Sequence, residues 1–186
     1  MDFPLLRRCF LESSVKQIGE YHYFLNPISD GVPAVMPEVL EEAAAGLSEL
    51  LDKDVELVLA PEAMGIPLAA ALSLRTRVPF SVVRKKSYGL PGEIEISQKT
   101  GYSKSRMFVN GLRKGMKVAI VDDVIDTGGT LTAISDAVRE SGAELVQVLV
   151  VYSMREDLPA VSERMGAPVC RLLDIGMDGP RPFVRG

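Results

Sequence analysis

A run of thirteen residues, Val118–Thr130, places two carboxylates directly before a loop of threonines and glycines. The apolar residues 118–121 are typical of a strand that is buried on both faces of a parallel sheet. Ligands of such sheets bind beyond the carboxyl ends of the strands, where Asp122 and Asp123 are expected to fall. Adjacent carboxylates at this place accept hydrogen bonds from the vicinal hydroxyls of a sugar, directly or through a hydrated Mg²⁺.

The residues that follow the two acids form a loop suited to an anion. Gly128 and Gly129 let the backbone turn tightly, and the predicted helix after them points its free N–H groups and its positive dipole end at the ligand. Thr127 and Thr130 add hydroxyl donors. The loop lacks the Gly-Lys-Ser/Thr of a P-loop, and its glycines follow the acids, unlike those of a dinucleotide fingerprint. The pattern predicts a site for a phosphorylated sugar; the alternative is an ordinary strand–turn–helix whose acids cap the helix.

Composition narrows the class of protein. A chain of 186 residues is expected to form one domain with a substantial core. Its apolar stretches have the length of strands, and its N-terminus lacks a signal-peptide core, so we predict no membrane span and a cytoplasmic location. The net charge of −4, with no Lys/Arg run longer than three, argues against a nucleic-acid surface. The single His22 excludes a zinc cluster, and Cys9 and Cys170 are expected to be free thiols.

The elements alternate along the chain as they do in a doubly wound α/β fold with a mainly parallel sheet. Residues 12–20 are expected to form a loop, residues 21–25 an aromatic segment, and the tail 174–186 an irregular segment or an edge strand. The expected helices cover residues 3–11, 66–74, 128–141 and 158–165, with one more opening at Pro37, and the expected strands cover residues 55–60, 80–83, 117–121, 144–152 and 169–173. The whole chain, residues 1–186, is predicted to be a single domain.

The run at 118–130 resembles the phosphoribosyl-diphosphate (PRPP) signature of type I phosphoribosyltransferases. Residues 60–67 are similar to the diphosphate-binding loop of the adenine phosphoribosyltransferase branch of that family. That branch usually carries arginine where Met64 stands, so a charge contact from this position is not expected here. The resemblance implies that backbone N–H groups from Ala63 to Gly65 bind diphosphate.

Two further segments extend the resemblance. Arg84 and Lys85 resemble the basic pair that contacts diphosphate in the same family. Over the chain, the resemblance is to archaeal-type hypoxanthine/guanine phosphoribosyltransferases, whose mobile catalytic loop carries a Ser-Tyr pair similar to Ser87 and Tyr88. Asp126 stands where those enzymes have a carboxylate near the purine N7, which can accept the imidazole proton that a 6-oxopurine must lose. The alternative for Asp126 is the N-cap of the following helix.

The stretch 87–111 is longer than an ordinary connection between a strand and a helix, and such segments are usually functional. We expect a hairpin that pairs residues 93–97 with 106–109. The family resemblance implies a mobile catalytic loop, in which Ser87, Tyr88 and Lys104 close over the diphosphate and exclude water. The alternative is a plain β-hairpin at a subunit interface.

The resemblance also implies a small base-binding hood in residues 1–36. The adenine branch builds this hood from its N-terminal segment, and residues 24–33 are the matching stretch. We expect Tyr23, Phe24 or Ile28 to stack near the purine, although core packing explains these three side chains equally well.

Together these resemblances imply a purine salvage enzyme that uses Mg²⁺ and PRPP. Asp122 and Asp123 would hold the ribose hydroxyls and, mostly through water, the metal, while the loop from Thr127 to Thr130 would hold the 5′-phosphate. The expected products from hypoxanthine or guanine are the purine nucleoside monophosphate and diphosphate, formed by a homodimer. The open alternatives are an adenine- or xanthine-specific enzyme and a non-catalytic regulator of the same fold that senses PRPP or nucleotides.

Overall fold

The computed structural model describes residues 2–19, 21–99 and 104–185, without the side chains of residues 98, 99, 104 and 105. In chain order the elements are α1 (Pro4–Leu11), β1 (Ser14–Ile18), β2 (Tyr21–Leu25), α2 (Pro27–Asp30), α3 (Pro37–Leu50), β3 (Leu57–Pro61), α4 (Gly65–Thr76), β4 (Phe80–Val83), β5 (Ile94–Lys99), β6 (Lys104–Val109), β7 (Lys117–Ile125), α5 (Gly129–Glu140), β8 (Glu144–Ser153), α6 (Leu158–Met165), β9 (Val169–Asp178) and β10 (Arg181–Val184).

The central sheet has six strands in the order β10-β9-β8-β7-β3-β4. Its neighbouring strands are parallel, except for the antiparallel pair β9 and β10. This arrangement confirms the predicted doubly wound, mainly parallel sheet. In the described part of the chain, no helix combines the length and apolar character that a membrane span requires.

Strand β7 lies in the middle of the sheet and is buried on both faces. Val118 and Ile120 pack in the core layer that contains α5 and α6, whereas Ala119 and Val121 pack in the opposite layer with α1, α3 and α4. The four side chains are inaccessible to solvent. The apolar run therefore has the two-sided burial that the sequence predicted, and it holds the residues after it in a rigid setting.

Strand β7 is longer than expected, and this corrects the predicted position of the acids. Asp122 and Asp123 lie on the strand itself, because β8 continues to pair with β7 as far as Ile125. The loop that follows the strand still lies at the carboxyl edge of the sheet, as the alternation of strands and helices predicts. The pairing with β8 is a tertiary contact, which the composition of residues 122–125 does not reveal.

The N-terminal segment contains a strand that the sequence analysis placed in a loop. Residues 14–18 form β1, which pairs antiparallel with β2 as a separate two-stranded sheet. Most residues of β1 are exposed, so the strand lacks the alternating apolar pattern that identifies a half-buried strand. The β1–β2 sheet, the short helix α2 and the connection to α3 make up residues 14–36 of the predicted hood. From here on, the hood means these residues.

The C-terminal tail forms an edge strand, one of the two expected outcomes. Strand β9 continues to Asp178, and β10 folds back against it after a turn at Gly179, whose φ of 55° is left-handed. Gly176 permits this pairing, because an added Cβ would lie 2.4 Å from Cζ of Phe183. The sheet therefore ends in a short antiparallel ribbon.

The long excursion contains the expected hairpin, formed by β5 and β6 over residues 94–99 and 104–109. The base of this hairpin belongs to the core, since Ile96, Met107 and Val109 are buried together with side chains of α5. A lid made of the whole segment 87–111 would have to unpack these side chains. Of the predicted mobile loop 87–111, motion therefore stays a prediction for residues 87–92, while the hairpin tip at 100–103 lies outside the described residues.

Candidate active site

Two adjoining cavities open at the carboxyl ends of β3 and β7. The β7 cavity, of about 300 Å³, is formed by Tyr23 and residues 122–131. The β3 cavity, of about 480 Å³, is formed by residues 61–64 together with side chains from the hood, the end of β4 and the hairpin. Asp122, Asp123 and Thr130 line both cavities, so the two form one continuous site.

The floor of the β7 cavity is the loop that leads into α5. Gly128 is the N-cap of the helix and has a left-handed φ of 75°. As a glycine it has no side chain that could cap the first N–H groups of the helix. Its conformation turns the chain so that Gly129, Thr130 and Leu131, the first residues of the helix, line the cavity. The first N–H groups of a helix lack intrahelical partners and attract anions. Because the N-cap is Gly128, the alternative assignment of Asp126 as the cap is wrong.

Asp122 and Asp123 form a close carboxylate pair at the junction of the two cavities. The backbone N–H of Asp123 donates to Oδ1 of Asp122 at 3.0 Å. Burial raises the pKa of both carboxyl groups, and the charge of Asp122 raises the pKa of Asp123 further. The pair therefore resists carrying two negative charges and favours a cation or several hydroxyl donors as its ligand.

The carboxylate oxygens of this pair decide which metal ion it could hold. Carboxylate oxygens are ligands that Mg²⁺ prefers, and Mg²⁺ usually keeps several waters beside one or two carboxylates. In the part of the chain that the structure describes, no group of three or more His, Cys, Asp or Glu side chains could hold a metal ion. The pair thus suits a hydrated cation whose remaining ligands come from water and a bound substrate.

The loop between β3 and α4 forms one wall of the β3 cavity and touches the acid pair. A Cβ added to Gly65 would lie 2.8 Å from the carbonyl oxygen of Val121 and 3.3 Å from Oδ1 of Asp122. Only glycine permits such a close approach of the loop to β7. Met64 lines the β3 cavity, and its Sδ lies 3.6 Å from an added Cβ at Gly31, so its uncharged side chain faces the hood.

Glu62 joins this loop to the predicted basic pair, a connection that the sequence analysis missed. Its Oε1 accepts a hydrogen bond from the backbone N–H of Lys85 at 2.8 Å, and its Oε2 lies 4.0 Å from Nη1 of Arg84. Lys85 lines the β3 cavity, whereas Arg84 does not. The cavity is therefore lined by one cationic side chain as well as by the acid pair, and a cation of this kind can bind a polyanionic ligand.

Ser87 and Tyr88 line neither cavity, so the structure does not bring them to the acid pair. They belong to an exposed turn that is held by Glu93. The Glu93 carboxylate accepts hydrogen bonds from the Ser87 hydroxyl, from the backbone N–H groups of Tyr88 and Gly89 at 3.0 and 3.2 Å, and from Nδ2 of Asn110 at 3.1 Å. The Tyr88 ring lies between two cations, the Arg84 guanidinium at 5.8 Å and the Lys86 ammonium at 6.0 Å.

We expect Glu93→Ala to open this turn and to speed trypsin cleavage after Lys85 and Lys86 by about tenfold, because cleavage follows the population of the open form. The hydrogen bond from Ser87 and those from the backbone lower the pKa of Glu93 to about 2. The hydrogen bonds to the Glu93 carboxylate therefore stabilise the turn above the usual glutamate pKa. This stabilisation is lost as the pH falls through about 2, so it is intact at the pH of the digestion.

The control is Glu95→Ala, which removes an acid of β5 that faces Arg106 at 3.8 Å and does not touch the turn. Mass spectrometry of the first fragments locates the cut. Equal cleavage rates for Glu93→Ala and the wild type would show that the Glu93 hydrogen bonds do not hold the turn.

The outer end of the β7 cavity is formed by Asp126 and the hood. Asp126 is exposed and lines the cavity, and its Oδ2 accepts a hydrogen bond from the Tyr21 hydroxyl at 2.9 Å. Tyr23 lines the same cavity, and its hydroxyl lies 3.4 Å from Oδ1 of Asp30. Tyr23 is therefore the predicted aromatic side chain that reaches the site.

The other two aromatic or apolar candidates belong to the core. Phe24 is 6% exposed and packs edge-on against Phe10, with ring centroids 5.1 Å apart, and Ile28 is 1% exposed. For these two side chains the structure favours the alternative of core packing, and stacking near the purine stays a prediction for Tyr23. Alternation along β2 places Tyr21 and Tyr23 on one face and leaves Phe24 on the other.

Most of the predicted site residues converge. Those that line one or both cavities are Asp122, Asp123, Asp126, Thr127, Gly128, Gly129, Thr130, Ala63, Met64 and Lys85. Lys104 begins β6, but its side chain lies outside the described residues. Sequence reasoning missed Tyr21, Glu62 and Glu93, and only the Tyr21–Tyr23 spacing on one strand face contained a usable signal.

Comparisons with known proteins agree with this geometry. The family model described as phosphoribosyl transferase domain matches residues 36–166. The hypoxanthine/guanine phosphoribosyltransferase of Methanohalophilus mahii is 43% identical over 93% of this chain and 90% of its own length. The enzyme of the same name from Methanosarcina acetivorans is 51% identical over 78% of this chain and 77% of its own.

Solved structures show the same fold at lower identity. The adenine phosphoribosyltransferase of Saccharomyces cerevisiae, in complex with adenine and an imino-altritol bisphosphate, matches with a TM-score of 0.71 and 22% identity over 91% of this chain and 99% of its own. The Trypanosoma brucei enzyme, in complex with AMP, pyrophosphate and ribose-5-phosphate, matches with a TM-score of 0.73 and 20% identity over 92% of this chain and 80% of its own. At this level of identity the likeness concerns the fold alone.

Proposed function

Because the chain belongs to the phosphoribosyl transferase domain family, we propose that it transfers the phosphoribosyl group of PRPP to hypoxanthine and guanine. The products are IMP or GMP and diphosphate, the reaction of purine salvage. The similar archaeal proteins carry the name of this activity. The observation that carries the proposal is the position of Asp126, which lines the same cavity as the acid pair and the start of α5.

We propose one orientation for PRPP in the continuous site. Its 5′-phosphate suits the loop Thr127–Thr130, where the start of α5, whose N-cap Gly128 has no side chain, supplies N–H groups and a positive dipole end. Its ribose hydroxyls suit Asp122 and Asp123, which are hydrogen-bond acceptors at the junction of the cavities. Its diphosphate then extends into the β3 cavity, toward the backbone of Ala63 and Met64 and the Lys85 ammonium.

A magnesium ion belongs to this proposal as a companion of PRPP. Asp122 and Asp123 would hold it, mostly through water. When bound, Mg²⁺ supplies positive charge that neutralises the departing diphosphate. The raised pKa of both carboxyl groups supports this assignment, since a pair that resists double ionisation is relieved by a cation.

The base would enter at the outer end of the β7 cavity. There the Tyr23 ring offers a surface for stacking, and the Asp126 carboxylate can accept the proton that leaves the imidazole ring of the oxopurine. The family resemblance supports this assignment, since adenine-specific enzymes commonly carry alanine at the position of Asp126. The carboxylate therefore favours a 6-oxopurine over adenine, while xanthine, itself a 6-oxopurine, stays an alternative that the assay must separate.

Catalysis would come mainly from electrostatic complementarity to a ribose that gains positive charge as diphosphate leaves. Water must be kept from this ribose, because it hydrolyses the same bond. Ser87, Tyr88 and Lys104 are proposed to close over the diphosphate, in a movement that releases the turn held by Glu93. The homodimer and the cytoplasmic location remain predictions, which sedimentation velocity and cell fractionation test.

The test is a spectrophotometric assay with Mg²⁺ and PRPP, in which hypoxanthine, guanine, adenine, xanthine and orotate are offered separately. We expect turnover of hypoxanthine or guanine, and a loss of about 10²–10⁴-fold in kcat/KM for the base in Asp126→Ala. The affinity for PRPP, measured by calorimetry, should change little, since Asp126 lies away from the β3 cavity. The control is Asp136→Ala, which removes an acid of α5 that pairs with Arg139.

Two other outcomes of this assay would change the proposed function. Turnover of adenine alone would refute the oxopurine assignment but leave the PRPP site intact. PRPP or nucleotide binding without turnover of any base would make the chain a non-catalytic regulator.

A further inference from the structure

Among the described residues of the hood, Tyr21 is the one that hydrogen-bonds to the loop before α5. This residue begins β2 and pairs with Ile18 across the β1–β2 sheet. Its hydroxyl donates to Oδ2 of Asp126 at 2.9 Å, although the two residues are 105 positions apart in the sequence. The contact joins two elements that otherwise belong to separate sheets.

Packing does not account for this contact. Tyr21 is 47% exposed and its cross-strand neighbour Ile18 is 58% exposed, so the end of the hood is not part of a core. The buried residue that fixes the hood is Phe24, which packs on Phe10. The hydrogen bond to Asp126 is therefore the contact that ties the Tyr21 side chain to the loop before α5.

The groups that face Asp126 have distinct roles. Arg155 follows β8 and is close enough for the charge of Asp126 to contribute to its raised pKa, but its Nε and Nη2 donate to Asp157, both at 2.7 Å. Among the described residues, Tyr21 is the one that donates a hydrogen bond to the Asp126 carboxylate. Oδ1 has no such partner in that part of the chain and stays available to a ligand in the β7 cavity.

The Tyr21 hydroxyl is a dependable donor at neutral pH. Burial and the hydrogen bond and charge of Asp126 raise the pKa of Tyr21 to about 12. The phenol is therefore protonated throughout the working range of a salvage enzyme, and it cannot itself take the proton of the base. A neutral donor on one oxygen orients a carboxylate without cancelling its charge.

We propose that Tyr21 is a positioning residue for the reaction: its hydroxyl fixes Oδ2 of Asp126 so that Oδ1 faces the imidazole edge of the purine base. This inference rests on the proposed function, since it assigns Asp126 to the base. It makes the hood part of the catalytic geometry as well as a cover for the base. A freely rotating carboxylate on an exposed loop would spend much of its time misaligned.

The first measurement is independent of activity. Tyrosines labelled with ¹³C at Cζ are titrated by NMR in the wild type and in Asp126→Asn. We expect the pKa of Tyr21, near about 12 in the wild type, to fall toward the ordinary value of about 10 in the variant. An unchanged Tyr21 titration would overturn the inference, because the hydroxyl would then not contact Asp126 in solution.

The second measurement is a double-mutant cycle with hypoxanthine as the base. Tyr21→Phe should lower kcat/KM for the base by about tenfold, the lower end for a hydrogen bond to a charged group, and leave the affinity for PRPP unchanged. In an Asp126→Asn background, Tyr21→Phe should lower kcat/KM for the base by less than about twofold, because the carboxylate that Tyr21 orients is gone. Ile18→Ala is the control, since it alters the same end of the hood without touching Asp126.

The outcomes separate the two hypotheses. An active wild type with a silent Tyr21→Phe variant, or with an equal loss in both backgrounds, would overturn the positioning role and leave the proposed function standing. A wild type that turns over no oxopurine would refute the proposed function and this inference with it.

Discussion

Replacing Asp123 with asparagine should lower kcat/KM for PRPP by about 10²–10⁴-fold. The change removes a charged acceptor at the junction of the two cavities, where both ribose hydroxyls are expected to bind. Two hydrogen bonds to a charged group contribute about 1.5–3 kcal/mol each, which corresponds to this loss. Steady-state kinetics with varied PRPP at saturating base measure the effect.

The same variant should be more stable than the wild type in the absence of substrate. Burial raises the pKa of Asp122 and Asp123 above the unfolded value, and Asp122 raises that of Asp123 further. Groups with a raised carboxyl pKa contribute stability that is fully present below the unfolded pKa and is lost as the pH rises through the folded one. Asp123→Asn retains one of the two acids and so loses less stability over that range.

Thermal unfolding at several pH values checks this expectation. The Tm of Asp123→Asn should equal that of the wild type near pH 4 and exceed it increasingly toward pH 8, by at least about 2 °C. Asp136→Asn, which removes the same charge from the exposed face of α5, should show no such pH-dependent difference. A Tm below that of the wild type at pH 8, or an unchanged kcat/KM, would contradict the role of the acid pair.

Gly65→Ala should impair the enzyme nearly as strongly, for a steric reason. The new Cβ would lie 2.8 Å from the carbonyl oxygen of Val121 and 3.1 Å from Cδ of Pro61. Val121 belongs to the central strand and cannot move, so the loop and the start of α4 must shift. Overpacking of this kind costs about 1–3 kcal/mol of stability. A displacement of about 1 Å in a binding loop is enough to lower kcat/KM by about 10²-fold.

A glycine elsewhere in the core offers a matched control. In Gly46→Ala the added Cβ would lie 2.6 Å from Cε1 of Phe3, in the contact between α1 and α3 and away from both cavities. This variant should also lose stability, but at 25 °C its kcat/KM should stay within about twofold of the wild type. Equal kinetic losses in the two variants would mean that the effect of Gly65→Ala comes from general destabilisation.

The parts of the site that are contiguous in sequence could be predicted. Strand β7, its acids, the glycine loop and α5 follow one another within residues 117–140, so their types and order describe the site directly. The family resemblance then implied that the loop after β3 and the basic residues after β4 bind the same diphosphate, and so lie at the same edge of the sheet. The structure places these segments there.

The contacts that join distant segments could not be predicted. Glu62 binds the backbone of Lys85 and Glu93 holds the Ser87 turn, but an acid in a loop has no periodic pattern that identifies its partner. Phe24 and Tyr23 are neighbours of similar type, and only the orientation of the β1–β2 sheet decides which of them faces the core.

The sequence by itself determined the core of the candidate donor site, because the two acids and the helix start that form it are neighbours along the chain. The tertiary structure decided what surrounds Asp126. The helix cap belongs to Gly128, and the hydroxyl that contacts Asp126 comes from Tyr21 in the hood. The physical reason is that hydrogen bonds between remote residues depend on how separate sheets are oriented, and that orientation is set by buried packing such as Phe24 on Phe10.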